Sequence, residues 1–388
     1  MNDYEIRPVR NAIVMLTNQC NCRCVYCFEQ RKPGRMSLDT AKDTLRFLHR
    51  SGSPNVGFTF FGGEPMLEFD SVIAPLVEWS KTAFDLTTRF AMTTNGTLFT
   101  KERLDFLKEH NIRFMLSMDG ASTAQGKNRP LADGRNSFDA IAPHIPYILQ
   151  LWPNQSFRET LTEYNVGSFF DDIRWFQSIG CTNLMVVPDL FQAWGGEALH
   201  ELDKQIRLYE DYLERSFLDG TPALLLHEYR MAFMKLYLLE RYKDLPRRTS
   251  HGLHGGFLCG FGIRGSVSID PAGDIYGCHH VSPMTRESEY FLGDVWNGVD
   301  EWRVRRLADR FDREKVGNGM CASCGLDPIC DGGCAPNNYQ INVDEHIVPG
   351  MYCIWQRTVA DSAFRLCHKL KDNDRFRSEF ARCAGGAV

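Results

Sequence analysis

No stretch of this chain comes near the twenty consecutive apolar residues that a membrane-spanning helix needs. The first residues also lack the basic start, long apolar core and small-residue cleavage site of a signal peptide. Neither sign of charge dominates, since 44 Lys and Arg residues stand against 49 Asp and Glu residues, and the net charge of −5 gives no electrostatic reason to expect nucleic-acid binding. These absences predict a cytoplasmic protein that binds neither membranes nor nucleic acids.

Cysteine, in contrast, is abundant. The 388 residues include 14 cysteines, and the hydrophobic share of 43% is enough for the cores of two or three domains. That many cysteines would suit a disulfide scaffold only in a small secreted chain, whereas in a reducing compartment clustered cysteines are more often metal ligands. The cysteines are therefore the first candidates for a functional site.

Three cysteines, Cys20, Cys24 and Cys27, are spaced as CxxxCxxC in the run MLTNQCNCRCVYCFEQ, directly after a short apolar segment. Three thiolates can hold a cubane iron–sulfur cluster and leave its fourth iron free to bind a small molecule. A further thiol, Cys22, breaks this spacing and is interpreted as a non-ligand. Zinc sites use similar spacings, so this loop alone leaves half a zinc site open as the alternative.

Between about residues 11 and 188, short β-rich runs alternate with amphipathic helical segments, a pattern typical of βα units around a parallel sheet. Six strands are predicted, at residues 12–16, 56–61, 89–94, 112–117, 156–162 and 184–188. Ser37 is the predicted cap of the first helix. In such folds ligands bind at the carboxyl ends of the strands.

Polar or glycine-rich loops follow these predicted strands. The first strand leads to the cysteine loop, and the second leads to the run GGEP at residues 62–65, where paired glycines allow a close backbone approach and Glu64 can accept a hydrogen bond from an ammonium group. Further candidates on later strands or their ends are Thr94, Asn95, Ser117, Asp119 and Arg158. Each has an ordinary explanation as a turn or a surface pair, but their succession beside the cysteine loop favours one ligand site.

The carboxyl-terminal third contains a second set of cysteines. Residues 196–245 are predicted to be mostly helical, with Leu202, Ile206, Tyr209, Leu213 and Phe217 on one buried face, and residues 244–256 are interpreted as a domain boundary. Seven thiols follow in order: Cys259, Cys278, Cys321, Cys324, Cys330, Cys334 and Cys353. The run SVSIDPAGDIYGC predicts a β-hairpin next to the second of them.

With GGEP at the next strand end and this seven-cysteine array, the chain resembles the radical S-adenosylmethionine (SAM) enzymes that carry a C-terminal SPASM domain, over about residues 13–367. The resemblance implies an α/β fold: a partial (β/α)6 barrel of the TIM type, followed by a small cysteine-rich α+β domain with a β-hairpin. The predicted domains are a barrel (1–195), a helical bridge (196–250), a SPASM domain (251–370) and a tail (371–388). In this family a cluster passes an electron to SAM, giving methionine and a 5′-deoxyadenosyl radical that abstracts a substrate hydrogen atom.

The resemblance also implies roles for single residues. Cys20, Cys24 and Cys27 would hold the radical-generating 4Fe–4S cluster. The predicted SAM contacts are Tyr26 near the adenine, Gly62, Gly63, Glu64 and Pro65 at the methionine amine, Thr94 and Asn95 beside them, Ser117 and Asp119 near the ribose, and Arg158 at the methionine carboxylate.

Two auxiliary 4Fe–4S clusters complete the predicted set of three. The family pattern assigns Cys321, Cys324, Cys330 and Cys353 to the outer cluster, and Cys259, Cys278 and Cys334 to the inner one. No fourth cysteine stands just upstream of these three, where the chain has His251 and His254, so we expect the inner cluster to have an open or histidine-ligated iron.

Two reactions of this family compete. One crosslinks side chains of a ribosomally made precursor peptide through a thioether or carbon–carbon bond, and the other matures anaerobic sulfatases by making formylglycine. Sulfatase-maturing enzymes have an aspartate base after the cysteine that Cys278 matches, and here His279 stands instead as the candidate base. We therefore predict a peptide-crosslinking maturase that receives electrons from a flavodoxin or ferredoxin. Because only about twelve residues precede the first predicted strand, the barrel or a separate protein would bind a leader sequence. A zinc-binding adaptor is the alternative of a different class.

Overall fold

Six parallel strands lie side by side in the sheet, as the sequence predicts. The computed structural model describes residues 6–30, 33–85, 87–241, 259–281, 284–311, 316, 321–326 and 330–385. Its strands are β1 Asn11–Thr17, β2 Asn55–Gly62, β3 Thr87–Thr94, β4 Arg113–Ser117, β5 Ser156–Leu161, β6 Asn183–Pro188, β7 Ser266–Ile269, β8 Asp274–Tyr276, β9 Phe291–Asp294 and β10 Gly298–Val299.

Helices follow the parallel strands and make up most of the remainder. They are α1 Leu38–His49, α2 Ala74–Ala83, α3 Lys101–Glu109, α4 Ser122–Asn128, α5 Phe138–Ile141, α6 Ile145–Leu151, α7 Phe169–Ser178, α8 Gly196–Asp219, α9 His227–Arg241, α10 Glu301–Arg310, α11 Ala335–Asn342, α12 Gly350–Lys369 and α13 Asp374–Gly385. None of the helices in the described ranges is both long and apolar enough to cross a membrane.

The strands form one sheet in the order β10-β9-β8-β7-β1-β2-β3-β4-β5-β6. From β1 to β6 neighbouring strands are parallel and follow the order of the chain. The predicted βα units are therefore confirmed. The sheet is not closed, because β1 pairs on its other side with β7 rather than with β6.

Local sequence explains the first unit. The Ser37 side chain accepts a hydrogen bond from the backbone N–H of Thr40 at 3.0 Å, which satisfies one of the free donors at the start of α1. Ala41, Leu45 and Leu48 recur at helical spacing and are fully buried. In β2 alternate residues face the two sides of the sheet, and Phe58 and Phe60 are fully buried.

The predicted hairpin is present as β7 and β8, which are antiparallel. Its turn uses Gly273, whose φ of +86° lies in the left-handed region that favours glycine. The sequence did not predict that β7 also pairs in parallel with β1, from Asn11 opposite Ser266 to Val14 opposite Ile269. The cysteine-rich part of the chain thus extends the same sheet.

Helices α8, α9, α12 and α13 pack on one another, and α9 and α12 also contact β6. Four of the predicted α8 contacts, Leu202, Ile206, Tyr209 and Leu213, are buried, and Phe217 packs against Phe376 at 5.3 Å between ring centroids. The residues predicted as a tail include α13, whose Phe376 also meets Phe233 of α9 at 5.3 Å between ring centroids. The predicted boundary at residues 244–256 lies outside the described residues.

Glu159 on β5 gives a prediction about stability. Its side chain is fully buried, and neither carboxyl oxygen has a hydrogen-bond partner in the part of the chain that the structure describes. Burial, with the nearby charge of Asp172, raises its pKa well above the ordinary range. In the native state Glu159 therefore keeps a proton that the unfolded chain releases above about pH 4.3. The contribution of Glu159 to the free energy of unfolding falls as pH rises above that value.

We expect Glu159→Gln to stabilise the protein, because the substitution removes the group that must stay protonated. The gain in the free energy of unfolding should grow from pH 5.5 to 7.5, by at most about 1.4 kcal/mol per pH unit. Urea unfolding under anoxic conditions at three pH values measures it. Glu163→Gln, at a more exposed position nearby, is the control. A gain that does not depend on pH would contradict the prediction.

Candidate functional site

A cavity of about 740 Å³ lies at the carboxyl ends of the parallel strands and extends to α9 and α12. The predicted site residues that line it are Cys20, Cys24, Tyr26, Cys27, Gly62, Gly63, Glu64, Thr94, Asn95, Ser117, Arg158, Cys259, His279, Cys330 and Cys334. The predicted residues that do not line it are Pro65, Asp119, Cys278, Cys321, Cys324 and Cys353. The structure therefore brings the three cysteines of the first loop and three of the seven later ones, Cys259, Cys330 and Cys334, to one cavity.

The backbone of the cysteine loop is held on one side by the paired glycines after β2. Gly63 donates its N–H to the carbonyl oxygen of Thr17 at 2.8 Å, and Glu64 donates to that of Gln19 at 2.8 Å. A Cβ on Gly62 would lie 2.3 Å from the Thr17 carbonyl oxygen, and one on Gly63 would lie 2.2 Å from the Gln19 carbonyl oxygen. The close backbone approach predicted for these glycines is thus made by the cysteine loop itself.

On its other side the loop pairs with the segment after α4. Arg23 donates its N–H to the Pro130 carbonyl oxygen at 2.7 Å, and Val25 donates to the Asn128 carbonyl oxygen at 3.0 Å. These bonds fix the loop between two segments that are far from it in sequence. A loop held in this way presents its thiols in a defined arrangement.

The thiol sulfurs of this loop are surrounded by N–H donors. The Cys20 sulfur lies 3.3 Å from the backbone nitrogen of Cys22 and 3.8 Å from Asn95 Nδ2, and the Cys24 sulfur lies 4.0 Å from Arg129 Nη1. Such donors suit the anionic thiolates that bind a cluster. The loop therefore offers two of its thiols, those of Cys20 and Cys24, as thiolate ligands for a cluster.

Arg129 was missed by the sequence analysis. Its Nε lies 2.9 Å from Asp119 Oδ1, and its guanidinium lies 5.2 Å from the centroid of the Tyr26 ring. Tyr26 in turn donates its hydroxyl to Asp119 Oδ2 at 2.6 Å. Asp119 is fully buried and its carboxylate holds these two side chains, so the structure does not bring it to the cavity as predicted for a ribose contact. In the sequence, Arg129 is a single charged residue between the end of α4 and Pro130, and no motif or spacing indicates that it belongs to the site.

Glu64 is fixed by the loop after β3. Its Oε1 accepts hydrogen bonds from the Thr94 hydroxyl at 2.7 Å and the Met66 N–H at 3.0 Å, and its Oε2 accepts one from the Asn95 N–H at 2.8 Å. A carboxylate has about four acceptor positions, so Oε2 retains one. Burial raises the pKa of Glu64 to about 7. Thr94 and Asn95 thus support Glu64 while lining the cavity themselves.

One basic and one acidic side chain, those of Arg158 and Glu228, also line this cavity. Arg158 makes no hydrogen bond or ion pair through its guanidinium with any residue that the structure describes, and burial lowers its pKa. Glu228, in the first turn of α9, accepts a hydrogen bond from the Val186 N–H at 3.0 Å through Oε1, while Oε2 has no partner in the described ranges. Burial raises the pKa of Glu228 to about 8. In the sequence, its helix is marked only by a pattern of packing residues, and Glu228 is not among the predicted site residues.

The remaining cysteines fall into two groups. Cys259, Cys278 and Cys334 lie near enough for their charges to act on one another, and burial together with these neighbours raises the pKa of Cys278. Burial likewise raises the pKa of Cys353, with further contributions from Cys321 and Cys324. These contacts place Cys330 in neither group, but it lines the cavity. His251 and His254, the predicted alternatives to a fourth cysteine ligand, lie outside the described residues.

His279 lies against the aromatic wall of the cavity. Its Nδ1 is 3.9 Å from the Cys278 sulfur, and its ring centroid is 4.7 Å from that of Phe61. Burial lowers the pKa of His279 well below its usual range, and lowers that of the adjacent His280 to about 4. His280 stacks on Phe28 at 4.5 Å between centroids. Both imidazoles are therefore neutral in this structure near pH 7.

Comparison with known proteins gives consistent matches. The sequence model of the Radical SAM superfamily matches residues 14–158. Similar curated proteins include the cysteine-type anaerobic sulfatase-maturating enzyme of Clostridium novyi, 24% identical over 83% of this chain and 86% of that protein. The Fe-coproporphyrin III synthase of Methanosarcina barkeri is 24% identical over 82% and 81%, and the mycofactocin maturase MftC of Mycobacterium tuberculosis is 27% identical over 82% and 76%.

Solved structures share the fold. A structure of anSMEcpe with bound AdoMet superimposes with a TM-score of 0.74 at 17% identity, covering 96% of this chain and 98% of that one. Streptococcus suis SuiB bound to its precursor peptide SuiA superimposes with a TM-score of 0.60 at 17% identity, covering 89% and 76%. Other chains thus share this fold over most of its length.

Proposed function

Since residues 14–158 form a radical SAM domain, we propose that this enzyme modifies a side chain of a ribosomally made precursor peptide by forming an intramolecular crosslink. The observation that carries the proposal is the single cavity of about 740 Å³, which is lined by the cysteine loop, by Arg158 and by three of the carboxyl-terminal cysteines, Cys259, Cys330 and Cys334. Its volume suits a cofactor together with a target side chain. The likeness to MftC, named as a maturase, and to SuiB, solved with a precursor peptide, supports a peptide substrate.

The residues present fit an iron–sulfur cluster and SAM. Cys20, Cys24 and Cys27 would hold the cluster, and the N–H donors near Cys20 and Cys24 favour thiolates at those two positions. When both are bound, they supply a 5′-deoxyadenosyl radical that can abstract a hydrogen atom. Glu64 keeps one acceptor position for the methionine ammonium, and Arg158 offers a buried cation for the carboxylate.

The far part of the cavity would receive the target residue. Trp355, Val359 and Ala360 on α12 supply apolar walls that exclude water. His279 lines the cavity and is our candidate base there. We propose that Cys259, Cys278 and Cys334 hold an inner auxiliary 4Fe–4S cluster with an open or histidine-ligated iron, and that Cys321, Cys324, Cys330 and Cys353 hold an outer one. A flavodoxin or ferredoxin would supply electrons, and a separate protein would bind a leader sequence if the peptide has one.

Formylglycine formation in a sulfatase is the second candidate. The likeness to the sulfatase-maturating enzyme and to anSMEcpe favours it. Glu228 adds a specific observation, because Oε2 of its carboxyl group has no hydrogen-bond partner among the described residues and the group lines the cavity, where this reaction could use it as a base in place of His279.

One experiment separates these functions. We expect the reduced, reconstituted protein to convert SAM to 5′-deoxyadenosine under anoxic conditions, because its thiols and cavity suit both groups. Incubation with candidate precursor peptides and a sulfatase-derived Cys peptide, followed by mass spectrometry, identifies the product. A peptide that has lost two hydrogens with two side chains joined supports crosslinking, whereas conversion of Cys to formylglycine supports the second candidate. A colourless zinc protein that leaves SAM intact would contradict both.

A further inference from the structure

We propose that Arg129 sets the reduction potential of the iron–sulfur cluster at Cys20, Cys24 and Cys27, through a buried charge pair with Asp119. The inference rests on the proposed function, since it takes that cluster as the occupant of the cysteine loop. Arg129 is a positioning residue, because it acts on the cysteine loop through its charge and its contacts.

The contacts of Arg129 place its charge beside the loop. The side chain is 8% exposed, and Asp119, its partner at 2.9 Å, is not exposed at all. The same guanidinium lies over the ring of Tyr26, which is between the last two cysteines of the motif, and directs Nη1 towards the Cys24 sulfur at 4.0 Å. One cation therefore touches the acid, the aromatic ring and a thiol.

The contacts of Asp119 place its negative charge on the other side of this guanidinium. Its Oδ1 faces Arg129 Nε and also accepts the Thr160 N–H at 2.8 Å, while Oδ2 accepts the Tyr26 hydroxyl at 2.6 Å. Both carboxylate oxygens of Asp119 therefore face a donor. Arg129, in contrast, directs a donor at a cysteine sulfur. Removing either partner would leave a buried charge uncompensated.

A cluster gains one negative charge when it is reduced. A nearby cation, and N–H donors directed at the sulfurs, stabilise the reduced form and raise the reduction potential. The effect is large only where solvent does not screen the charge. Arg129 meets this condition because it is buried, so its charge should raise the potential and that of Asp119 should lower it.

Arg23 provides a matched control in the same loop. It is exposed, and its guanidinium donates to the carbonyl oxygens of Cys20 and Cys22 at 2.8 Å each. Water and salt screen a charge in that position. Arg23→Gln therefore removes the same formal charge from the loop without removing a buried one.

The test is a redox titration of the reconstituted full-length protein, followed by electron paramagnetic resonance. The signal that changes on addition of SAM is taken as that of the cluster at Cys20, Cys24 and Cys27. We expect Arg129→Gln to lower the ratio of reduced to oxidised cluster about tenfold at the wild-type midpoint potential, which is a shift of 59 mV for one electron. Asp119→Asn should shift the potential in the opposite direction. The potential of Arg129→Lys should stay nearer to that of the wild type, because the charge is kept. Arg23→Gln should change the ratio of reduced to oxidised cluster less than about threefold.

Shifts of opposite sign in the reduction potentials of Arg129→Gln and Asp119→Asn distinguish a charge effect from a packing effect. If Arg129 only supported the fold, Arg129→Gln and Asp119→Asn would disturb the loop alike and shift the potential in the same direction, which would overturn the proposal. An Arg129→Gln potential equal to that of Arg23→Gln would also overturn it. If Arg129→Gln does not retain iron, the direction of the Asp119→Asn shift decides. Wild-type protein that holds the cluster but does not cleave SAM would count against the proposed function alone.

Discussion

Alanine at Cys24 is expected to abolish SAM cleavage, with the rate of 5′-deoxyadenosine formation falling at least ~1000-fold, or ~4 kcal/mol in the barrier. Two remaining thiolates would leave half of the irons of a cubane without a protein ligand. Iron and sulfide analysis together with chromatographic measurement of 5′-deoxyadenosine checks this, after anoxic reconstitution and reduction. The loss should appear both in the cluster content and in the rate.

Cys22→Ala is the matched control for this prediction. Cys22 is a buried thiol of the same loop, with 1% of its surface exposed, and the CxxxCxxC spacing excludes it from the ligand set. We expect this variant to keep the wild-type iron content and to cleave SAM within about threefold of the wild-type rate. The ligand assignment is wrong if Cys22→Ala loses the cluster while Cys24→Ala retains it.

Alanine at Gly63 is expected to destabilise the protein by ~2–4 kcal/mol and to reduce the iron bound per chain. The new Cβ would stand 2.2 Å from the carbonyl oxygen of Gln19 and 2.5 Å from its carbonyl carbon. Both are backbone atoms, so no side-chain rotation relieves the overlap, and the cysteine loop must move away from β2. Anoxic thermal unfolding and iron analysis measure the two effects.

Gly57→Ala on β2, the strand that precedes Gly63, separates this overlap from the general effect of alanine. Its Cβ would meet Asn11 Oδ1 at 2.5 Å, which is the end of an exposed side chain that can rotate away. We expect a cost below ~1 kcal/mol and an unchanged iron content. Equal losses of stability and iron in the two variants would show that contact with the cysteine loop is not what requires glycine at position 63.

Much of the parallel sheet could be predicted from the sequence, because each strand is a short apolar run that ends at a polar or glycine-rich loop. The loop positions also indicated which side chains would gather, and Glu64, Thr94, Asn95 and Arg158 do line one cavity. The β1–β7 pairing could not be predicted. It joins Asn11 to Ser266, and an apolar run carries no information about which distant strand will lie beside it.

Spacing alone also could not distinguish a residue that faces the ligand from one that supports its neighbours. Asp119 follows a strand end like the other candidates, yet its carboxylate binds Tyr26 and Arg129. Arg129 and Glu228 were missed for a related reason. Each is a single charged residue whose burial depends on segments far away in sequence, and burial is what gives such a charge its influence.

The parallel pairing of β1 with β7 has a consequence for synthesis of the chain. One edge of β1 stays unpaired until residues 266–269 have left the ribosome. A bare edge on an apolar strand is a template for association with other chains, and contacts between distant segments form slowly. Nascent chains and fragments that end before residue 266 are thus expected to depend on chaperones and to aggregate when overproduced, and stable loading of iron should follow completion of the hairpin.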